Sequence, residues 1–213
     1  METISVFISY SNEEKQIAGL IKQLLEKYCG YEVFLAHDDM TASADFEEEI
    51  IEKISEVDYF IPLISQKFSH SPYTDQEVGI AVAHKKKIIP IKLEGVNPYG
   101  FIQKYHALQL KKYSDDTTNI KELVITIGLL AIKNYSFQYS KKAKNSIVTA
   151  LKNSGSFKTS NVIIQILCDC PKFNKIQIEV IKTAIKTNYE VQQAFGLKDL
   201  KDMLRNKYKI DID

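Results

Sequence analysis

The chain has almost no net charge, no long apolar run and few cysteines. Its 28 Lys and Arg residues against 27 Asp and Glu residues give a net charge of +1, so the protein has no strong field to attract nucleic acid or anionic lipid. The longest apolar stretch, LVITIGLLAI at 123–132, is too short for a membrane span, which needs ~20 residues. We therefore expect neither nucleic acid nor a membrane as a partner.

The three cysteines are Cys29, Cys168 and Cys170, an odd number without the spacing of a zinc site. We interpret them as reduced thiols of a cytoplasmic protein and expect no metal. The N-terminus METISVF has no basic region and no long apolar run, so we expect no signal peptide. The length of 213 residues and the hydrophobic content of 45% are those of a globular chain with one ordinary domain and a small companion.

Up to about residue 133, short β-branched runs alternate with helical patterns, which is typical of a parallel sheet covered by helices. The spacing predicts strands over 4–10, 31–35, 58–65 and 87–93, with a short fifth strand over 106–110. It predicts helices over 12–28, 45–57, 71–87 and 118–134. The first predicted domain, residues 1–135, is therefore an α/β domain.

Beyond residue 135 only helical periodicity remains, so we place a domain boundary there. IVTALKN at 147 matches IKTAIKT at 181, and this offset is the length of a helix-turn-helix repeat unit. We predict that residues 136–213 form a four-helix tail built from two helical-hairpin repeats.

Polar and aromatic side chains gather where the first three predicted strands end, and ligands bind at that edge of a parallel α/β sheet. The sequence has no G-x-G-x-x-G and no GK[ST] motif, which argues against a Rossmann dinucleotide-binding loop and a P-loop. It also has no G-x-S-x-G motif, which argues against the nucleophile elbow of an α/β-hydrolase. The residues that converge there are Ser9, Tyr10, His37, Asp38, Phe46, Tyr73 and Glu77.

Glu77 has two interpretations that the residues alone leave open. In the first, Thr74-Asp-Gln-Glu77 is a capping box and Glu77 has a structural role. In the second, the helix begins at Ser71-Pro72, which puts Glu77 too deep in the helix to cap it.

Three successive segments resemble the boxes of a Toll/interleukin-1 receptor (TIR) domain in its bacterial form. They are VFISYSNEEKQIAGLIKQLL, YEVFLAHDDMTASADFEEEI and DYFIPLISQKFSHSPYTDQEVGIAVAHKKKIIPIKL, and the resemblance covers residues 4 to about 132. It implies a flavodoxin-like parallel sheet. In enzymatic members a glutamate in the helix after the third strand cleaves NAD+, with an aromatic residue four positions before it; these positions are Glu77 and Tyr73.

The resemblance also implies the substrate contacts. It places the family's loop aromatic on Phe46 and the small polar stretch after the first strand on Ser9, Tyr10 and Ser11. His37 and Asp38, in the loop after the second strand, complete the candidate contacts. NAD+ enters as a substrate, and no further cofactor is expected.

The function implied is that of an NAD+ hydrolase or cyclase, which gives ADP-ribose or a cyclic ADP-ribose. The protein would then be similar to the TIR proteins of Thoeris-type antiphage defence, whose nucleotide product reaches a separate effector. The resemblance also implies self-association through TIR domains. Two alternatives stay open: a non-catalytic adaptor that acts by TIR–TIR assembly, and an enzyme like the nucleoside deoxyribosyltransferases, which also use a glutamate at an N-glycosidic bond.

Overall fold

The computed structural model describes residues 1–36, 46–93, 95–110, 117–133 and 136–212. The chain divides into two compact units. The sheet unit comprises Ile4–Leu24 and Glu32–Leu123, and the helical unit comprises Met1–Thr3, Leu25–Tyr31 and Val124–Asp213. The helical unit thus takes in residues on both sides of position 135, and the division predicted there stays a prediction.

The sheet unit is built on parallel strands in the order β2-β1-β3-β5-β6, with β4 also paired to β3. Every pairing is parallel, and β3 is buried along its whole length, as expected for a strand covered on both faces. The predicted parallel sheet is therefore confirmed. The strands are β1 (Ser5–Ser9), β2 (Glu32–Leu35), β3 (Tyr59–Ile64), β4 (Lys87–Ile88), β5 (Ile91–Lys92) and β6 (Leu108–Gln109).

The strand predicted over 87–93 is divided into β4 and β5. Pro90 lies between the two pieces and has no N–H to donate to the ladder. Ile89 still donates its N–H to the carbonyl oxygen of Phe60 at 3.0 Å, so both pieces remain aligned along β3.

Four helices described within residues 1–133 correspond to the predicted ones. They are α1 (Lys15–Leu24), α2 (Phe46–Glu56), α3 (Pro72–Ala83) and α4 (Thr117–Lys133). A 3₁₀ turn, Asn12–Glu14, precedes α1, and a π-helical turn, Leu25–Cys29, follows it.

Helix α3 ends earlier than the predicted residue 87. Lys85 adopts a left-handed conformation with φ of 55°, and its N–H donates to the carbonyl oxygen of Val82 at 3.0 Å. The N–H of Lys86 donates to the carbonyl oxygen of Ala81 at 2.9 Å. These two bonds form a Schellman motif, which satisfies the last carbonyls and ends the helix.

The described residues after 135 form five helical segments instead of the four predicted. The additional one arises because the Asn188 side chain accepts the N–H groups of Glu190 and Val191 and caps a separate short helix. The segments are α5 (Phe137–Lys152), α6 (Phe157–Cys168), α7 (Lys175–Thr187), α8 (Tyr189–Gln192) and α9 (Leu197–Tyr208).

The two matching segments, which begin at residues 147 and 181, lie mainly on α5 and α7, and these helices pack against each other. Ile147, Leu151 and Ile181 are fully buried in this unit. The hairpin repeat itself stays a prediction. Within the described ranges, no helix combines the length and the apolar character that crossing a membrane requires.

Candidate active site

Glu77 lies in the buried stripe of α3. The residues of α3 that are buried are Thr74, Glu77, Val78 and Ala81, and their i, i+3, i+4, i+7 spacing marks the face that an amphipathic helix turns to the core. Only 3% of Glu77 is exposed. A carboxyl group thus occupies a position where an apolar side chain is expected, and burying its charge is costly.

The start of α3 decides between the two interpretations of Glu77. The helix begins at Pro72 with Ser71 as its N-cap, and the Ser71 Oγ accepts the N–H of Thr74. The Thr74 hydroxyl donates to the carbonyl oxygen of Phe68 at 2.7 Å. Glu77 is therefore on the second turn, too far along the helix to cap it. The capping-box interpretation is wrong, and the start at Ser71-Pro72 is confirmed.

Ser9 is the partner that the sheet brings to Glu77. It is the last residue of β1, which pairs with β2 on one side and β3 on the other. Side chains alternate along a strand, so Ser9 shares its face with Phe7, which stacks on Phe60 at a centroid distance of 5.8 Å. Ser9 is fully buried, and its hydroxyl donates a hydrogen bond to Oε2 of Glu77.

The second carboxylate oxygen, Oε1 of Glu77, is buried and has no hydrogen-bond partner within the described part of the chain. Burial raises the pKa of Glu77 to about 7, although the hydrogen bond from Ser9 partly lowers it. Near neutral pH the carboxyl group is therefore present in both forms. A buried carboxyl with a shifted pKa and one unpaired oxygen is a candidate for chemistry on a bound molecule.

The remaining predicted residues of the first strand end have different environments. Tyr10 is fully buried, so its ring belongs to the core of the sheet unit. Ser11 is half-buried, and its hydroxyl donates to Oε2 of Glu14, a residue that is only 5% exposed. The roles of Tyr10 and Ser11 as substrate contacts stay predictions.

Tyr73 lies one turn before Glu77 and is 60% exposed. Its ring is therefore accessible at the start of α3, whereas the carboxyl group lies in the core stripe. Phe46 begins α2, but its side chain lies outside the described residues, as do His37 and Asp38 altogether. Their predicted contacts stay predictions.

Two features of the site were not predicted. The Tyr99 hydroxyl donates to Oδ1 of Asp75 at 2.7 Å, and so links the first turn of α3 to a loop 24 residues later in the chain; nothing in the local sequence indicates it. The second feature is the burial of Glu77: the apolar residues of α3 lie on all sides of the helix, so no apolar stripe in the sequence marks position 77 as a core position. Among the described residues no group of three His, Cys, Asp or Glu side chains could hold a metal.

A cleft of about 540 Å³ lies within the helical unit, where Gly30, Tyr31, Thr149 and Ser156 contribute to its lining. It contains none of the predicted site residues.

Comparison with known proteins identifies the family. The sequence profile of the TIR domain matches residues 6–124, and no curated protein matches the chain. Among solved structures, the TIR domain of the Toll-related receptor TRR-2 from the lower metazoan Hydra magnipapillata is 20% identical, covers 57% of this chain and 94% of its own, and has a TM-score of 0.47. The CMP N-glycosidase BcmB of Clostridium botulinum is 23% identical, covers 59% of this chain and 98% of its own, and has a TM-score of 0.41. Because the TIR profile spans more than half of the sequence, the chain belongs to the TIR domain family.

Proposed function

We propose that this protein cleaves the bond between nicotinamide and ribose in NAD+, with Glu77 as the catalytic carboxylate. The observation that carries the proposal is a carboxyl group at a core position of α3, with Oε1 unpaired among the described residues. Membership of the TIR family supports it, since a glutamate at this place in the helix acts in the family's NAD-cleaving members. A purely structural role as a helix cap is no longer available for Glu77.

One carboxylate is sufficient for this reaction. The ring nitrogen of nicotinamide is positively charged while it is bonded to C1′ of ribose, and it leaves as a neutral base, so no general acid has to protonate it, unlike the leaving group of an ordinary glycoside. The C1′–N bond breaks, its electron pair goes to nicotinamide, and positive charge develops on the ribose. An ionised carboxylate beside that charge stabilises it and can accept a hydrogen bond from a ribose hydroxyl.

The product depends on the atom that then bonds to C1′. Attack by water, with loss of one proton, gives ADP-ribose. Attack by an adenine or ribose atom of the same molecule, again with loss of a proton, gives a cyclic ADP-ribose.

The charge of the substrate matches the electrostatics of Glu77. The carboxyl has to be ionised to stabilise positive charge, and its pKa of about 7 leaves it partly protonated in the empty site at neutral pH. The cationic nicotinamide ring favours the ionised form once it is bound. Activity should therefore rise with pH through the region of this pKa.

The exposed ring of Tyr73 is the second element of the proposed site. An aromatic face one turn before the carboxylate can stack on nicotinamide or on the ribose. Ser11, Tyr10, Phe46, His37 and Asp38 complete the proposed substrate contacts.

The cellular role that we propose is the production of a nucleotide signal in antiphage defence, in the cytoplasm of a bacterium. It is supported by the resemblance of three successive segments to a TIR domain in its bacterial form, since the TIR proteins of Thoeris-type defence make such a signal. The signal would reach a separate effector, and self-association of TIR domains would complete the active enzyme.

The test is incubation of the purified protein with NAD+, or with a pyrimidine deoxynucleoside plus an acceptor base, followed by chromatography of the products. Release of nicotinamide with ADP-ribose or a cyclic ADP-ribose supports the proposal. Transfer of the deoxyribosyl group alone would indicate the transferase-like alternative. No turnover of either substrate, at any protein concentration, would favour the adaptor.

A further inference from the structure

We propose that Ser9 is a positioning residue for Glu77: its hydroxyl holds Oε2, leaves Oε1 directed to the substrate, and makes no substrate contact of its own. This inference rests on the proposed function, because it assigns Ser9 a part in the same reaction. It differs from the role that the sequence predicted, in which Ser9 binds the substrate directly.

The hydrogen-bonding capacity of Ser9 supports this assignment. A serine hydroxyl has one proton to donate, and Ser9 donates it to Oε2 of Glu77. Oε1 of Glu77, by contrast, has no partner among the described residues. Of the two carboxylate oxygens, Oε1 is therefore the one whose hydrogen-bonding capacity is left for a substrate.

Both ends of this hydrogen bond are carried by rigid elements. Ser9 terminates β1, which is paired on both sides, and its register partner on β3 is Pro62. Helix α3 is fixed at its start by the hydrogen bonds of Ser71 and Thr74. A reactive group that is locked by a neighbouring side chain on a strand or helix keeps its geometry better than one on a loop.

Ser9 is also the one described side chain whose hydrogen bond lowers the pKa of Glu77. Helix α3 packs against α2, β1, β3 and the 3₁₀ turns Phe68–His70 and Gly100–Ile102. Among the described residues, the pKa of Glu77 is raised by burial and lowered by the Ser9 hydrogen bond. The titratable side chains on α3 and on these elements are Glu47, Glu48, Glu49, Glu52, Lys53, Glu56, Tyr59, His70, Tyr73 and Asp75.

The experiment compares Ser9→Ala with Ser65→Ala in the full-length chain. Ser65 is a matched control, because it is also buried at the end of a parallel strand but accepts the N–H of Phe68 at 3.0 Å and does not bond Glu77. Two readouts are used: the titration of the Glu77 carboxyl by carbon-13 NMR without NAD+, assigned with Glu77→Gln, and kcat and KM for NAD+ as functions of pH.

We expect Ser9→Ala to move the carboxyl titration and the acidic limb of the kcat profile to higher pH. We also expect it to lower kcat by roughly ten- to a hundredfold, because the reacting oxygen loses its fixed orientation, with KM nearly unchanged. Ser65→Ala should leave the titration, kcat and KM close to wild type. Circular dichroism of each variant checks that the fold is retained.

Two results would overturn the inference. A Glu77 titration identical in wild type and Ser9→Ala would mean that Ser9 does not hold the carboxylate. A rise in KM with kcat unchanged would make Ser9 a substrate ligand. If the wild-type protein releases no nicotinamide, the proposed function fails instead, and the titration without NAD+ still decides whether Ser9 holds Glu77.

Discussion

Replacing Glu77 by Gln should make the stability of the protein less dependent on pH. Burial raises the pKa of Glu77 from an ordinary value of 4.5 to about 7, so the folded state holds a proton that the unfolded state releases. The stability associated with this proton is fully present below about pH 4.5 and is lost as the pH rises through about 7. Gln has no proton to lose, so the variant lacks this pH dependence.

The expected size of the effect follows from the two pKa values. A difference of one in pKa corresponds to about 1.4 kcal/mol, and between about pH 4.5 and pH 8 wild type should lose roughly 3 kcal/mol of stability that Glu77→Gln keeps. For a chain of this length, a stability loss of that size lowers the Tm by roughly 6–12 °C. Burying the amide introduced by Glu77→Gln lowers the stability of the variant by the same amount at every pH. This penalty does not affect the comparison, because the quantity compared is the change in the free energy of unfolding with pH.

The assay is thermal or urea unfolding followed by circular dichroism, since the chain contains no tryptophan for fluorescence. Glu52→Gln is the matched control: it removes an exposed carboxylate from α2 and should leave the pH dependence of wild type in place. Stability curves for wild type and Glu77→Gln that run parallel from acidic to alkaline pH would refute the reasoning, because Glu77 would then titrate alike in the folded and unfolded chains.

Three other outcomes are expected. Tyr73→Ala should lower NAD+ turnover by about tenfold whereas Tyr73→Trp should retain it, because stacking needs an aromatic face; equal losses in steady-state assays would indicate the hydroxyl or packing instead. Gly30→Ala should destabilise the helical unit by about 1–3 kcal/mol in urea unfolding, because Gly30 has a φ of 64° and a Cβ there would clash with the carbonyl oxygen of Ser146; unchanged stability would contradict that packing. Specific activity should rise with protein concentration, because self-association is proposed to complete the site; a flat dilution series would mean that a monomer is sufficient.

The order of strands and helices in the sheet unit was predictable because each strand is a short apolar run and each helix has its own periodic pattern. Details within the elements were not all predicted. The strand over 87–93 is interrupted at Pro90, and α3 ends at Ala83, since Lys85 adopts a left-handed conformation that its residue type does not indicate.

The site was predictable in part for the same reason. The carboxyl ends of parallel strands place Ser9 and Glu77 at the same edge of the sheet, but the apolar residues of α3 form no stripe that predicts the burial of position 77. The hydrogen bond between them depends on side-chain geometry across 68 residues of sequence. No local pattern encodes such a contact, and the same holds for the bond between Tyr99 and Asp75.

The most direct test of the central claim is the release of nicotinamide from NAD+, followed by proton NMR with concentrated wild type, Glu77→Gln and Glu52→Gln at about pH 8, where Glu77 is ionised. We expect wild type and Glu52→Gln to release nicotinamide at similar rates, and Glu77→Gln, still folded, to be slower by ~10²-fold or more. Release of nicotinamide by Glu77→Gln at the wild-type rate would contradict the assignment of Glu77 as the catalytic carboxylate.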